Sequence, residues 1–309
     1  MTHISLWHSG GIAVITLDRA GRFNSLDVET AQDLRRAGLQ CARDEAVRVV
    51  VIRGLPGMFC SGADLKFIRD RGDAADLSYL VGPVAAPGRT SYGAVFKQIL
   101  EYIHSTISEI RRAPKPFIAA VDGVAAAGGL GLAMSCDLVV ASTRASFEWA
   151  YGRTGLTGAE SSTFLLPRLI GLRRSMELML LNPRLSAAEA HAAGLVTAVF
   201  NAKTFEQETM ALAARIAEGP PRAFAVAKEL LNEAAEMDQL DAHLDRELQE
   251  LTRAADGTEF AEGLDAFFDQ RPARFVASHK SRRAAAADAG SGGVRLPADR
   301  SAGNPTLLE

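Results

Sequence analysis

Much that would define a function is missing from this chain of 309 residues. Cysteine is scarce: Cys41, Cys60 and Cys136 are the only three. An odd count without regular spacing builds no disulfide framework, and no C-x-x-C is present to bind zinc. Histidine is sparse too, at positions 3, 8, 104, 191, 243 and 279. None of these forms H-E-x-x-H, so no metal site is expected. Aromatic residues make up 6% and the net charge is −3, without the clustered basic excess that a nucleic-acid partner would require. No stretch approaches the ~18 apolar residues of a membrane span. The start, MTHISLWHSG, lacks a basic segment followed by an apolar run. A cytoplasmic protein without a nucleic-acid or membrane partner is the expectation.

Common catalytic signatures are missing as well. The glycine-rich stretch VDGVAAAGGLGLAMSCDLVVAS, from Val121 to Ser142, contains neither G-x-x-x-x-G-K-[ST] nor G-x-G-x-x-G. Ser61 lies in F-C-S-G-A, not in G-x-S-x-G, so there is no nucleophile elbow.

What is present is strand–helix alternation. HISLWH and IAVITLDR flank Ser9-Gly10-Gly11 as a β-hairpin. Asp27 caps a helix running to about Arg43, and VRVVVIR (47–53) is a buried strand. Val95, Ile99, Ile103, Ile107 and Ile110 keep helical spacing, and FIAAVDG and LVVAS are further strands. Ser186 and Glu189 form a capping box, and Gly194 closes that helix. Up to Phe200 this predicts βαβ units and a mostly parallel sheet, an α/β protein. From 201 to 278 the pattern is helical only. Residues 72–92 read as a mobile surface segment and 279–309 as a disordered tail.

Two glycine loops share one context. FCSGADL (59–65) and AAAGGLG (125–131) each follow a buried strand and open a helix. A helix N-terminus exposes N–H groups without partners, and small residues let another group come close. Either loop alone would equally suit tight helix–sheet packing. Together they can aim two donors at one oxygen, which is an oxyanion hole.

At this point the chain resembles the enoyl-CoA hydratase/isomerase (crotonase) superfamily. The matching stretches are ITLDRAGRFNSLD, VVVIRGLPGMFCSGADLK, RRAPKPFIAAVDGVAAAGGLGLAMSCDLVVAS, FLLPRLIG, LSAAEAHAAGLV and EFAEGLDAFFDQRPARF. The resemblance implies a crotonase-like ββα spiral core over 1–200 and a helical trimerisation region over 201–278. It implies an acyl-CoA thioester substrate, a homotrimer or a hexamer built as a dimer of trimers, and no cofactor beyond the substrate's own coenzyme A. The thioester oxygen would sit between the N–H groups of Ala63 and Gly128. Arg22, Leu26, Asp64, Leu65, Lys66, Gly129 and Arg271 fall on the expected substrate-binding positions, with Gly129 and Gly131 keeping the entrance open. Arg274 reads as a surface charge and Asp137 as structural.

The sequence then departs from the family. The two hydratase glutamates fall on Gly131 and Tyr151, so the two-carboxylate mechanism is not supported. Isomerase-like relatives carry one acid in a G-L-x-P-D/E-G-G stretch. Here GLTGAESSTFLLPR puts Ala159 at that position, and a one-residue slip brings Glu160 into register. Glu160 is the candidate proton carrier, with capping of the following helix as its other reading. Tyr151 is a possible hydrogen-bond donor and Glu148 a second acid nearby. Isomerase-like chemistry is expected, or else an acyl-CoA-binding paralogue without turnover.

Overall fold

The computed structural model describes residues 1–70 and 91–275. The expectations for 72–90 and for the tail from 279 lie outside them. The chain begins with a hairpin, β1 (Ile4–Ser9) and β2 (Ile12–Leu17), then α1 (Val28–Arg43), β3 (Val49–Gly54) and the short α2 (Leu65–Arg69). Helix α3 (Tyr92–Arg112) leads to β4 (Phe117–Val121), β5 (Val124–Ala126), α4 (Gly128–Ser135), β6 (Leu138–Ser142) and β7 (Ser146–Glu148). Next come α5 (Ser162–Ile170), α6 (Leu172–Leu181), β8 (Leu185–Ser186), α7 (Ala187–Ala192) and β9 (Ala198–Phe200). Helices α8 (Phe205–Ala217), α9 (Pro221–Ala234), α10 (Leu240–Ala255) and α11 (Thr258–Phe268) complete it.

The strands form two sheets. The larger runs β1-β2-β3-β4-β6-β9, with only the hairpin antiparallel. The smaller runs β5-β7-β8. Strands β4 and β6 are parallel neighbours in one sheet, and β5 and β7 are parallel neighbours in the other. The β4–β5 and β6–β7 turns each leave one strand in each sheet and are followed by helix, the ββα repeat of a spiral. This second sheet is not evident in the sequence. Its strands are two or three residues long, too short for a period-two pattern.

Strands β2 and β4 are buried at every position, as parallel strands covered on both faces require. Alternation sorts their side chains between two cores. Ala13, Ile15 and Leu17 join Ile52 and Ala119 on one face, with Ile99 and Ile103 of α3. Ile12 and Val14 join Val51, Ile118 and Val140 on the other, against Phe205, Ala213 and Ala217 of α8. Asp27 caps α1 by accepting the Thr30 N–H at 2.9 Å, a contact generally worth about 1 kcal/mol. The Ser186–Glu189 capping box on α7 is present in full, and Gly194 takes φ 90° just after that helix.

Candidate active site

The two glycine loops meet. A methyl group on Gly62 would lie 3.0 Å from the Gly128 nitrogen and 2.9 Å from Ala127 Cβ. Gly62 itself has φ 91°. Cys60 and Ala125 are bridged as parallel strands, with N–H···O contacts of 3.0 Å on both sides. Ala127 then turns the chain into α4 with φ 47°, a left-handed conformation that costs a non-glycine residue on the order of 1–3 kcal/mol. Among the described residues neither the Ala63 N–H nor the Gly128 N–H has an acceptor. Both residues line one cavity of about 390 Å³.

Charge holds the Ala63 loop in place. Asp64 is 2% exposed and caps α2 by accepting the N–H groups of Lys66 and Phe67 at 3.0 and 3.1 Å. Its oxygens also accept from Arg22 and from Arg19 Nη1, the latter at 2.7 Å. Burial would raise the Asp64 pKa, but the hydrogen bonds of Arg22, Phe67 and Arg19 outweigh it and hold the carboxyl below its ordinary value.

The other end of the cavity holds Glu160, 2% exposed. A methyl group on Gly128 would stand 2.7 Å from Glu160 Oε1, so a larger residue would push the carboxyl from this position. The Tyr151 hydroxyl donates to Glu160 Oε2 and lies 3.1 Å from the Ala159 carbonyl. Burial pushes the Glu160 carboxyl up to about 7; the Tyr151 hydrogen bond works against this, and the charge of Glu247 adds to it. Burial, with the charge of Glu160, pushes Tyr151 well above 10, so it remains a donor. A carboxyl poised near neutrality can both take and return a proton.

The cavity thus brings together Ala63, Asp64, Leu65, Lys66, Arg22, Gly128, Tyr151 and Glu160. Three expected substrate-binding positions lie outside its lining. Leu26 is fully buried beneath the Ala63 loop, and its own N–H and carbonyl pair with Gly62 O and Asp64 N at 2.8 and 2.9 Å. Gly129 widens no entrance, because a methyl group on it would stand 2.1 Å from the Cys60 carbonyl oxygen. It is the close approach of α4 to the strand end that demands glycine. Arg271 pairs through Nη1 and Nη2 with the two oxygens of Glu262, at 2.7 and 3.0 Å. Glu148 lines the cavity, but Arg153, Arg184 and Asn182 occupy its carboxylate at 2.5, 3.4 and 2.9 Å.

The Glu160 side chain does not cap the helix that follows it. The Ser161 and Thr163 N–H groups, both at 2.8 Å, instead donate to Glu247 of α10. Glu247 and His104 of α3 are the site residues that sequence reasoning missed, since neither lies in a motif.

The spiral, the two glycine loops brought together and the cavity they share with Glu160 fit an acyl-thioester enzyme of the crotonase fold. The chain belongs to the enoyl-CoA hydratase/isomerase family, whose model matches residues 8–81 and 93–278. It is 32% identical to a 1,2-epoxyphenylacetyl-CoA isomerase of Escherichia coli over 86% of this chain and 95% of that one. It is 30% identical to a 4-chlorobenzoyl coenzyme A dehalogenase of Arthrobacter over 86% of this chain and 90% of that one. The crystal structure of an enoyl-CoA hydratase from Mycobacterium avium superposes with a TM-score of 0.76 at 32% identity, covering 89% of this chain and 98% of that one.

Proposed function

We propose that this enzyme is an acyl-CoA isomerase in which one carboxyl, Glu160, carries a proton along the acyl chain while Ala63 and Gly128 hold the thioester oxygen. One observation carries the reading: the Glu160 carboxyl is buried in the cavity against the Gly128 Cα, with its pKa pushed up to about 7.

The chemistry follows from that placement. With a 3-enoyl-CoA, ionised Glu160 takes a proton from C2. The electron pair moves into the thioester carbonyl, and the resulting dienolate oxygen accepts from the two N–H groups. These bind the developing charge more tightly than the neutral carbonyl, which is what lowers the barrier. Protonated Glu160 then returns its proton at C4, and the double bond lies between C2 and C3. Burial discourages a permanent charge on the carboxyl, so neither form is a trap.

Hydration would call for a second acid. At Gly131 a methyl group would stand 2.2 Å from the Glu160 carbonyl oxygen, so no side chain fits there without displacing the Glu160 loop. Tyr151 spends its hydroxyl on Glu160. An isomerase and a dehalogenase of coenzyme A thioesters among the relatives agree with a scaffold that serves more than one reaction. Arg22 and the exposed Lys66 line the same cavity and would meet the coenzyme A portion.

Assembly as a trimer or hexamer belongs to the same proposal. Val226, Leu230 and Leu231 of α9 and Leu172, Leu180 and Leu181 of α6 are exposed apolar residues on helices. Exposed apolar patches of this kind mark interaction surfaces. A monomer in sedimentation at micromolar concentration would contradict it.

The functional test is turnover of crotonyl-CoA and of 3-hexenoyl-CoA, side by side. The isomerisation should proceed and hydration should be weak or undetectable. Turnover of neither would make the acyl-CoA-binding paralogue the better account.

A further inference from the structure

Glu160 and Ser161 carry side chains, yet both adopt left-handed backbone, with φ of 52° and 62°. Holding a non-glycine residue there costs on the order of 1–3 kcal/mol, so the surroundings must impose it. Two buried side chains from distant helices meet this turn. The Glu160 N–H donates to Nε2 of His104 at 3.3 Å, 56 positions away in the chain. The Ser161 N–H donates to Oε2 of Glu247, 86 positions away. The Thr163 N–H and hydroxyl both donate to Glu247 Oε1. His104 and Glu247 are 7% and 4% exposed.

Helices are usually capped from within, by the side chain of the residue before the first turn. Ser161 occupies that place, but its hydroxyl has no partner among the described residues. The capping has passed to a carboxylate on another helix. Burying a carboxylate is unfavourable unless its oxygens are hydrogen-bonded, and both oxygens of Glu247 are. The consequence is that the left-handed turn is tied to α10 through Glu247 and to α3 through His104.

We propose, resting on the reading of Glu160 as proton carrier, that Glu247 and His104 are positioning residues whose grip on the Glu160–Ser161 turn aims the Glu160 carboxyl at Gly128. Neither lines the cavity. Both act through the backbone that presents the acid.

Glu247 also acts at a distance, because its negative charge opposes ionisation of Glu160. The other titratable groups facing Glu160 are Tyr151 from the 3-10 turn after β7, Cys60 from the loop after β3 and His104 from α3. Burial pushes the Cys60 thiol up to about 12 and His104 down to about 4, so both are neutral near pH 7. Beyond Glu247, His243 Nε2 lies 3.8 Å from its Oε1. Burial is the largest cause of the raised Glu160 pKa, the Tyr151 hydrogen bond opposes it, and a smaller upward contribution comes from the charge of Glu247. Removing its charge lowers the Glu160 pKa and moves the acid limb of kcat/KM to lower pH. A purely structural role would lower the amount of folded enzyme without moving that limb.

The experiment uses full-length Glu247→Gln, His104→Leu and His104→Gln, assayed with 3-hexenoyl-CoA from pH 5 to 9. Glu247→Gln should lower kcat about 10–10²-fold, as a misplaced catalytic group does. It should leave KM within about threefold and shift the acid limb downward. His104→Leu should lower kcat similarly, and His104→Gln, which keeps an acceptor, should recover most of it. A folded Glu247→Gln with wild-type kcat and an unmoved limb overturns the proposal. If that variant does not fold, the His104 pair decides: wild-type kcat in His104→Leu overturns the proposal, and loss in Leu with recovery in Gln upholds it. Glu160→Gln separates the two readings. If it leaves turnover intact, Glu160 is not the carrier. If it abolishes turnover while the Glu247 and His104 variants do not alter it, only the clamp fails.

Discussion

The two ends of the cavity are built from different materials. The end proposed to hold the thioester oxygen is backbone: the N–H groups of Ala63 and Gly128, with glycine at 62, 128 and 129 where the chains approach closely. The acid end is side chain: Glu160, Tyr151, His104 and Glu247, all ionisable and all buried. A backbone donor has a fixed dipole and one protonation state, so it needs position and little else. A carboxyl that must both lose and gain a proton needs a tuned environment, and burial supplies it here. The first construction depends on close backbone approach, the second on the side chains that touch the carboxyl.

Breaking both ends at once gives the largest expected effect. Gly128→Pro removes one of the two donors and drives ring atoms toward the Glu160 carboxyl. Turnover should fall by at least about 10³, given that one oxyanion donor alone is worth ~10²–10³. Proline is tolerated at the first position of a helix, so circular dichroism should remain near wild type. Gly128→Ala isolates the acid end. Its N–H survives, but the new methyl group would stand 2.7 Å from Glu160 Oε1 and must displace it. A fall in kcat of about 10²-fold, with KM for the acyl-CoA little changed, is expected.

The contrast also shows in stability. Glu160 is held at about 7 in the folded state against an ordinary 4.5. Its folded pKa is raised, so between pH 4.5 and about 7 the folded protein holds the proton more tightly and loses stability as pH rises. The loss approaches about 3 kcal/mol above pH 7. Glu160→Gln removes it. The variant should melt higher than wild type at pH 8, by roughly 5 °C, and the gain should shrink toward zero near pH 4.5. A Glu160→Gln protein no more stable at pH 8 would mean that the carboxyl is solvated. The backbone end gives the smallest effect. Arg22→Ala removes one cation from Asp64 but leaves Arg19, so kcat should fall only about three- to tenfold and KM should rise modestly.

How much was legible in the sequence follows the same division. The two glycine loops could be read from FCSGADL and AAAGGLG, because strand, glycine and helix start are neighbours in the chain, and the structure brings them together. Glu160 could be picked out by its loop. Its surroundings could not, because His104 and Glu247 reach it across 56 and 86 positions. Capping of α5 was open to misreading for that reason: an acid just before a helix is the usual cap, and here the cap comes from α10. Leu26 shows a different limit, since an apolar residue in a matching motif can lie under the site as easily as in it. Arg271 shows a third, because Glu262 nine positions earlier claims its guanidinium.

The central claim is that Glu160 moves a proton at C2 of a thioester whose oxygen is held by Ala63 and Gly128. Exchange at C2 tests it without relying on any particular product. Butyryl-CoA incubated with the enzyme in deuterium oxide should gain deuterium at C2, followed by mass spectrometry. In Glu160→Gln that rate should drop by roughly 10²–10⁴ while butyryl-CoA still binds. Equal exchange in the two proteins, or none in the wild type, would contradict the account.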